Sequence, residues 1–347
     1  MDIKKIQDAE MENKKILLRV DFNVAVENGR VKEKFKIEAA KETVNYLLSK
    51  NCKIALLSHF GRPEGKVDPD FSLEQLVPDV AESLGVKINF ISDCLGEKVA
   101  DGLEKASDKE VLLLENVRFY SGDESNNEEF AEKLAAGFDV FINDAFSVCH
   151  RDQASVTGIT KFLPSFAGFQ LQKEIEEMEK LMRDYARPAV AIIGGAKIET
   201  KLSVIKFFDE KYDHVLVGGK IANEALEKNM TFSEKVILPT DFAEDHFDVG
   251  PETINKFSDI IKSAKTIVWN GPTGKFEEEK FAVSTNAVLE AVIQSGAYTV
   301  VGGGETLEVL EKNDAMDKIS FVSTGGGAML SYLGGEKMPG IEALRSS

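Results

Sequence analysis

Cysteine is scarce. Cys52, Cys94 and Cys149 are the only three in 347 residues, too few and too scattered for a disulfide framework or a zinc site, so a reducing compartment fits best. No apolar run approaches membrane-spanning length, and the start, MDIKKIQDAEMENKK, lacks the apolar core of a signal peptide. A cytoplasmic location is expected, with no membrane as partner. Basic residues are in deficit too: 42 Lys and Arg stand against 59 Asp and Glu, a net charge of −17. Such a surface repels nucleic acid, so any anion must meet a local basic pocket. The chain has no repeat array and no low-complexity segment. It also lacks G-x-x-x-x-G-K-[ST], a G-x-G-x-x-G after a strand, and the protein-kinase catalytic-loop and D-F-G signatures. These absences exclude a Walker-A NTPase and a protein kinase, and argue against an NAD-type dehydrogenase.

What is present is a soluble, globular composition, 43% hydrophobic and 29% charged, in a chain long enough for two domains. The first half repeats a short apolar run, a polar cluster and a helical period. Lys15 to Val20 leads into Asp21 and Asn23; Lys53 to Leu57 leads into His59 and Arg62. Val111 to Leu114 leads into Arg118, and Phe138 to Ile142 into Asn143, Asp144 and later Arg151. Strands alternating with helices predict a parallel sheet with helices on both faces, and ligands bind beyond the carboxyl ends of such strands. The residues collected there suit a small, highly anionic molecule. Each could equally be an ordinary surface loop residue; four strand ends in succession make that reading weaker. Lys36, on a helix predicted over 34–49, is harder to place, since most helix lysines are simply solvated.

The stretch VAIIGGAKIETK, residues 190–201, reads as a buried strand, a tight glycine turn and a helix beginning at Ala196. Lys197 and Lys201, four apart, are expected on one face of its first turn, where the helix dipole is positive. A bound polyanion would offset that cost, which points to a phosphate site. The alternative is a solvated pair partly neutralised by Glu199. A helical period over 171–184 predicts a connector between domains. Beyond it the strand pattern returns with glycine at the ends: Gly218 and Gly219, Gly271, Gly302 to Gly304, Gly325 to Gly327. Glycine allows close approach of bare N–H groups to a bulky ligand, although turns favour glycine in any case. With the Gly194–Gly195 turn, five such ends on one sheet edge suggest a nucleotide.

The motifs RVDFNV, SHFGRP, LENVRFY, NDAFSVCHR, GGAKIETK, VWNGPTGKFE, VGGGET and STGGGA, in that order from residue 19 to 328, closely resemble phosphoglycerate kinase. The resemblance runs from about residue 14 to Leu344 and implies an α/β fold of two doubly wound, Rossmann-like parallel-sheet domains. It places a phosphoglycerate-binding domain over 1–170 with a C-terminal return over 330–347, a connecting helix over 171–187 with a hinge, and a nucleotide-binding domain over 188–329. It further implies glycolytic phosphoryl transfer between 1,3-bisphosphoglycerate with ADP and 3-phosphoglycerate with ATP, using Mg2+, in a monomer that closes about its hinge. By the same resemblance Asp21, Asn23, Lys36, His59, Arg62, Arg118 and Arg151 bind substrate. Gly195, Gly219 and Phe247 lie near adenine, with Ala196 in the same turn. Asn270 and Pro272 lie near the nucleotide, and Glu277 lies on the ribose. Lys197, Lys201 and Thr306 contact phosphate, Gly304 belongs to the nucleotide-binding set, Glu305 binds the metal, and Lys36, Lys197, Lys201, Gly325 and Gly326 serve the group in flight.

The chain also departs from the pattern. Lys36 stands in place of an arginine, Glu305 of an aspartate, Lys220 of a glycine beside the adenine, Ser147 of a glycine and Lys275 of an apolar residue, and the region 231–248 is short. A lysine keeps the charge of arginine but not its planar fork. An active divergent kinase is the preferred reading; a weakly catalytic nucleotide- or metabolite-binding homologue, acting as sensor or partner protein, is the alternative.

Overall fold

The computed structural model describes residues 2–107 and 109–345. The chain forms two compact units, one comprising residues up to Ile175 together with those from Met338 onward, the other Glu176–Lys337.

In the first unit, strands β1 (Lys15–Arg19), β4 (Lys53–Leu57), β5 (Lys87–Ile91), β6 (Glu110–Leu114), β7 (Val140–Asn143) and β8 (Ser165–Ala167) form one sheet in the order β5-β6-β4-β1-β7-β8. Every pairing in it is parallel. A small antiparallel hairpin, β2 (Val26–Glu27) with β3 (Arg30–Val31), stands apart. Successive strand residues point to opposite faces, and both faces are apolar. Ile16, Leu18, Ile54, Leu56, Val111 and Leu113 enter one core with Val44, Leu47 and Val80 from the helices. Leu17, Ala55, Leu57, Leu112, Leu114 and Phe141 enter another with Val99, Leu103 and Leu134. This double burial is why these strands read as continuous apolar runs rather than alternating ones.

In the second unit, β9 (Ala189–Ile193), β10 (His214–Val217), β11 (Val236–Ile237), β12 (Thr266–Asn270), β13 (Tyr298–Gly302) and β14 (Phe321–Ser323) take the order β11-β10-β9-β12-β13-β14, again all parallel. Counted within the unit this is 3-2-1-4-5-6, the doubly wound order whose ligand crevice opens where the winding reverses. That point lies between β9 and β12. No helix among the described residues is long and apolar enough to cross a membrane.

Several boundaries differ from expectation. The helix predicted over 34–49 is two pieces, Phe35–Glu38 and Lys41–Ser49. The long helix runs Phe169–Arg183, and the division between units falls inside it, after Ile175. The return to the first unit starts at Met338 rather than 330, because helix Gly326–Leu333 packs on helix Leu202–Lys211 of the second unit. The returning chain is held by Gly340 N–H donating to the Cys149 carbonyl (2.9 Å) and Lys4 N–H to that of Leu344 (2.8 Å).

Candidate functional site

The first unit gathers its polar residues beyond β6, β4, β1 and β7, four neighbouring strands. Asp21 and Asn23 follow β1, His59 and Arg62 follow β4, Arg118 sits on the turn Val117–Phe119 after β6, and Arg151 follows the turn Phe146–Val148 after β7. They are tied to one another. The Asn23 side-chain oxygen accepts from Gly61 N–H (2.9 Å), whose carbonyl accepts from Arg118 Nη1 (2.7 Å). Lys36 reaches the same group: its ammonium lies 3.0 Å from Asp21 Oδ2 and donates to the Asn23 carbonyl at 3.1 Å.

Charge at this edge is strongly biased. Burial pushes the Asp21 carboxyl up, but the Lys36 ammonium outweighs it, so the group ionises well below the usual carboxylate range. Burial and the neighbouring Arg19 hold His59 neutral. Arg118 is buried, and burial followed by Arg151 lowers its pKa. Its Nη2 is buried with no hydrogen-bond partner. Its Nε faces Glu124 Oε1 at 3.5 Å, and Arg151 and Arg62 also lie within Coulombic reach; the unpaired Nη2 is the part of the guanidinium left for an anion.

Sequence reasoning missed one member. Arg19 is fully buried at the end of β1. Its Nη2 lies 3.2 Å from His59 Nδ1, its Nη1 donates to the Val20 carbonyl at 2.5 Å and its Nε to Ser155 Oγ at 3.3 Å. Burial brings its pKa down to about 10. The available signal was an arginine closing an otherwise apolar buried strand, KILLR.

In the second unit the reversal point is built on close backbone contact. A Cβ on Gly194 would lie 1.9 Å from the Pro272 carbonyl oxygen, and one on Gly219 (φ +64°) 2.9 Å from it. Lys201 crosses the same point, donating to the Gly194 carbonyl (2.5 Å) and to Asn270 Oδ1 (2.8 Å). Asn270 Nδ2 reaches the Gly326 carbonyl at 3.5 Å, and Gly271 N–H donates to Thr306 Oγ1 at 2.7 Å. Burial lowers the Lys201 pKa to about 8, against the raising effect of Glu305.

Beside this lattice opens a cavity of about 410 Å³ lined by Gly195, Ala196, Gly219, Phe247, Pro272, Glu277 and Glu305 among the expected residues, and also by Lys220 and Lys275. Gly304 is exposed at the start of helix Gly304–Lys312, next to Glu305, and Gly325 is buried at the N-cap of helix Gly326–Leu333. The expected shared helical face of Lys197 and Lys201 is corrected. Lys197 is extended and exposed before a short 3-10 turn, Ile198–Thr200, whereas Lys201 precedes helix Leu202–Lys211 and is half-buried. Two glycines and the contact with Asn270 hold the turn open, so the α-helix starts six residues later than the period suggested.

A cation-rich strand mouth on one parallel sheet and a glycine-edged one on another are what an α/β phosphotransferase requires, and that is the class. The family model described as "Phosphoglycerate kinase" matches residues 6–238 and 227–336. The phosphoglycerate kinase of Moorella thermoacetica is 39% identical, with 98% of both chains covered, and that of Borreliella burgdorferi 37% identical, with 100% of both covered. The solved phosphoglycerate kinase of Pyrococcus horikoshii superposes with a TM-score of 0.88 at 29% identity over 99% of this chain and 98% of its own; that of Coxiella burnetii gives 0.79 at 32% over the same shares. The chain belongs to the phosphoglycerate kinase family. It is a phosphotransferase whose activity is glycolytic phosphoryl transfer, and nothing in these likenesses favours the sensor alternative. The Moorella alignment runs over 385 positions, 38 more than the chain has residues (385 − 347), so the relative carries segments that this chain lacks.

Proposed function

We propose that the chain passes a phosphoryl group between the acyl phosphate of 1,3-bisphosphoglycerate and ADP, reversibly, with the acid substrate at the first unit's strand mouth and the nucleotide in the second unit's cavity. The observation that carries this reading is the buried, unpartnered Arg118 Nη2 among Arg62, Arg151 and Lys36-paired Asp21. Such a group suits a small anion, and Asn23, His59 and Arg118 then fix its position.

The chemistry needs no base, because a carboxylate or acyl phosphate is already a competent partner, and no covalent intermediate. The chain supplies placement and charge. Lys201, anchored on Asn270, holds positive charge at the reversal point; the backbone N–H groups of Gly326 and Gly327 in the second unit, and the Lys36 ammonium in the first, are the groups that would offset charge developing on the transferring oxygens. Lys197, exposed beside the glycine turn, and Thr306, behind it, serve the nucleotide phosphates; Phe247, Gly195, Gly219 and Pro272 take the base, and Glu277 the ribose. Among the described residues no cluster of three His, Cys, Asp or Glu side chains could hold a metal. Mg2+ is commonly bound through one or two carboxylates together with substrate phosphates rather than in a protein cage. Glu305, on the cavity wall, would be that carboxylate, and the ion would neutralise phosphate charge when bound. Closure about the Phe169–Arg183 connector, a monomeric state and a cytoplasmic location belong to the same reading; the three cysteines, all free and buried, accord with a reducing compartment.

A coupled assay of ATP formation from 1,3-bisphosphoglycerate tests the proposal. Turnover within about tenfold of the usual kinase range of about 1–100 per second is expected. Undetectable turnover with nucleotide still bound would overturn it.

A further inference from the structure

Arg19 closes β1 inside the first unit, and each nitrogen of its buried guanidinium is engaged. Nη1 donates to the Val20 carbonyl at 2.5 Å and reaches that of Leu57 at 3.5 Å, while Nε reaches Ser155 Oγ at 3.3 Å. Ser155 is itself held, its N–H donating to the buried Asp123 carboxylate at 2.9 Å. These contacts fix the plane of the guanidinium, and its Nη2 lies 3.2 Å from His59 Nδ1. The two ends of that contact are chemically unequal. A guanidinium has N–H donors and no acceptor, whereas an imidazole nitrogen can be either. Nδ1 must therefore bring the lone pair. A neutral histidine whose Nδ1 accepts carries its proton on Nε2, since the hydrogen bond made by one ring nitrogen sets the state of the other.

Nε2 has no hydrogen-bond partner among the described residues, although the residue is only 4% exposed. The charged groups that act on the ring are Arg19, Asp21, Arg118 and Arg151. Three of the four are cations, so an imidazolium would add a positive charge beside a guanidinium already in contact. We propose that Arg19 is a positioning residue that locks His59 as the neutral Nε2–H tautomer, so that the ring offers the bound acid a donor and never an acceptor. Burial and the cations act in the same sense, holding the ring neutral. Asp21 opposes them, but its carboxylate is matched by Lys36 at 3.0 Å. A locked donor suits an oxygen of a carboxylate or phosphate and gives a substrate N–H or O–H no partner on that ring. The inference deepens the proposed role of this strand mouth and rests on it for the identity of the ligand alone.

Nitrogen-15 NMR of the full chain labelled at histidine reads the tautomer, and the signals lost in His59→Gln assign it among the four histidines. At pH 7 the wild-type protein is expected to show a pyridine-like Nδ1 and a pyrrole-like Nε2 for His59. The pattern should persist to pH 5.5, below the ordinary histidine value of about 6.5. A pyrrole-like Nδ1, exchange-averaged nitrogens, or titration within that window would overturn the proposal. Arg19→Met is expected to release the ring, with averaged tautomers at pH 7; the same locked pattern in that variant would remove Arg19 as the cause. Should the variant not fold, scalar coupling across the hydrogen bond to Nδ1 in the wild type identifies the donor. Arg19 Nη2 is expected, and coupling to any other N–H would overturn its role. Addition of 3-phosphoglycerate should move the Nε2–H resonance while Nδ1 stays pyridine-like. Binding seen by calorimetry with no change at Nε2 would overturn the donor role. No binding at all, with the locked tautomer present, would sink the proposed acid substrate and leave the Arg19 lock standing.

Discussion

Lys36 Nζ lies 3.0 Å from Asp21 Oδ2, joining the short helix Phe35–Glu38 to the mouth of β1. The carboxylate is buried and the ammonium about a quarter exposed, so removal of the lysine leaves a charge with a desolvation cost and no partner. Lys36→Met is expected to lower stability by about 1–2 kcal/mol, less than for a fully buried pair because solvent screens the lysine end. The urea midpoint measures it. Lys36→Arg preserves the pair and restores a planar donor fork. It is expected to raise kcat with little change in the KM for the acid substrate, and a change confined to KM would place Lys36 outside the chemical step.

His59 carries a pH dependence of definite sign. Its folded-state pKa is depressed by burial and by Arg19 at 3.2 Å, so below the unfolded value of about 6.5 the unfolded chain binds a proton that the folded chain does not. Stability from this residue is therefore present above about pH 6.5 and declines as pH falls below it. Urea denaturation at pH 7 and pH 5.5 should show the decline, and His59→Gln should flatten it over that window. An unchanged slope in the variant would mean that His59 titrates in the folded protein.

Lys201 predicts the opposite limb. Its pKa is lowered to about 8 by burial, with Glu305 acting to raise it. The cation is lost as pH rises through that value, so metal-free ADP affinity should decline above about pH 8. Glu305→Gln removes the raising contribution and should move the decline to lower pH. Calorimetry across pH 7–9 reads the midpoint directly, and an unmoved limb would show that Lys201 is not the titrating group.

Sequence and structure agree best where burial is complete. Every central strand was legible, because β1, β4, β6, β9 and β12 are buried on both faces and so are apolar without interruption. Three of the four edge strands were not: β5 is only half-buried, and β8 and β11 are three and two residues long, whereas β14 was marked by the glycines that follow it. Asp21, Asn23, His59, Arg62, Arg118 and Arg151 were legible as a set because parallel topology carries every strand end to one edge. Lys36 was not legible from its own helix, since only the tertiary contact with Asp21 distinguishes it from a solvated lysine. The pairing of Lys197 with Lys201 failed for a related reason. Helical spacing places residues on a face only where the chain is helical, and Gly194, Gly195 and Asn270 impose another path.

The glycines of the second unit divide into those the fold needs and those a ligand needs, and two substitutions tell them apart. Gly194 packs on the neighbouring strand end, where a Cβ would sit 1.9 Å from the Pro272 carbonyl oxygen and 2.7 Å from that of Gly271. Neither can move without breaking the β9–β12 pairing, which continues to Ile193 and Asn270. Gly194→Ala is expected to cost at least about 2 kcal/mol in the urea midpoint, as overpacking against rigid backbone does. Gly304 begins a helix and has nothing within 4 Å of an added Cβ. Gly304→Ala should leave stability unchanged or raise it by up to about 1 kcal/mol through the loss of unfolded-chain entropy. If that variant, equally stable, binds ADP at least about tenfold more weakly, the space beside Gly304 is kept open for the nucleotide and not for folding. Full affinity would remove Gly304 from the binding set and leave Glu305 and Thr306 to represent that strand end.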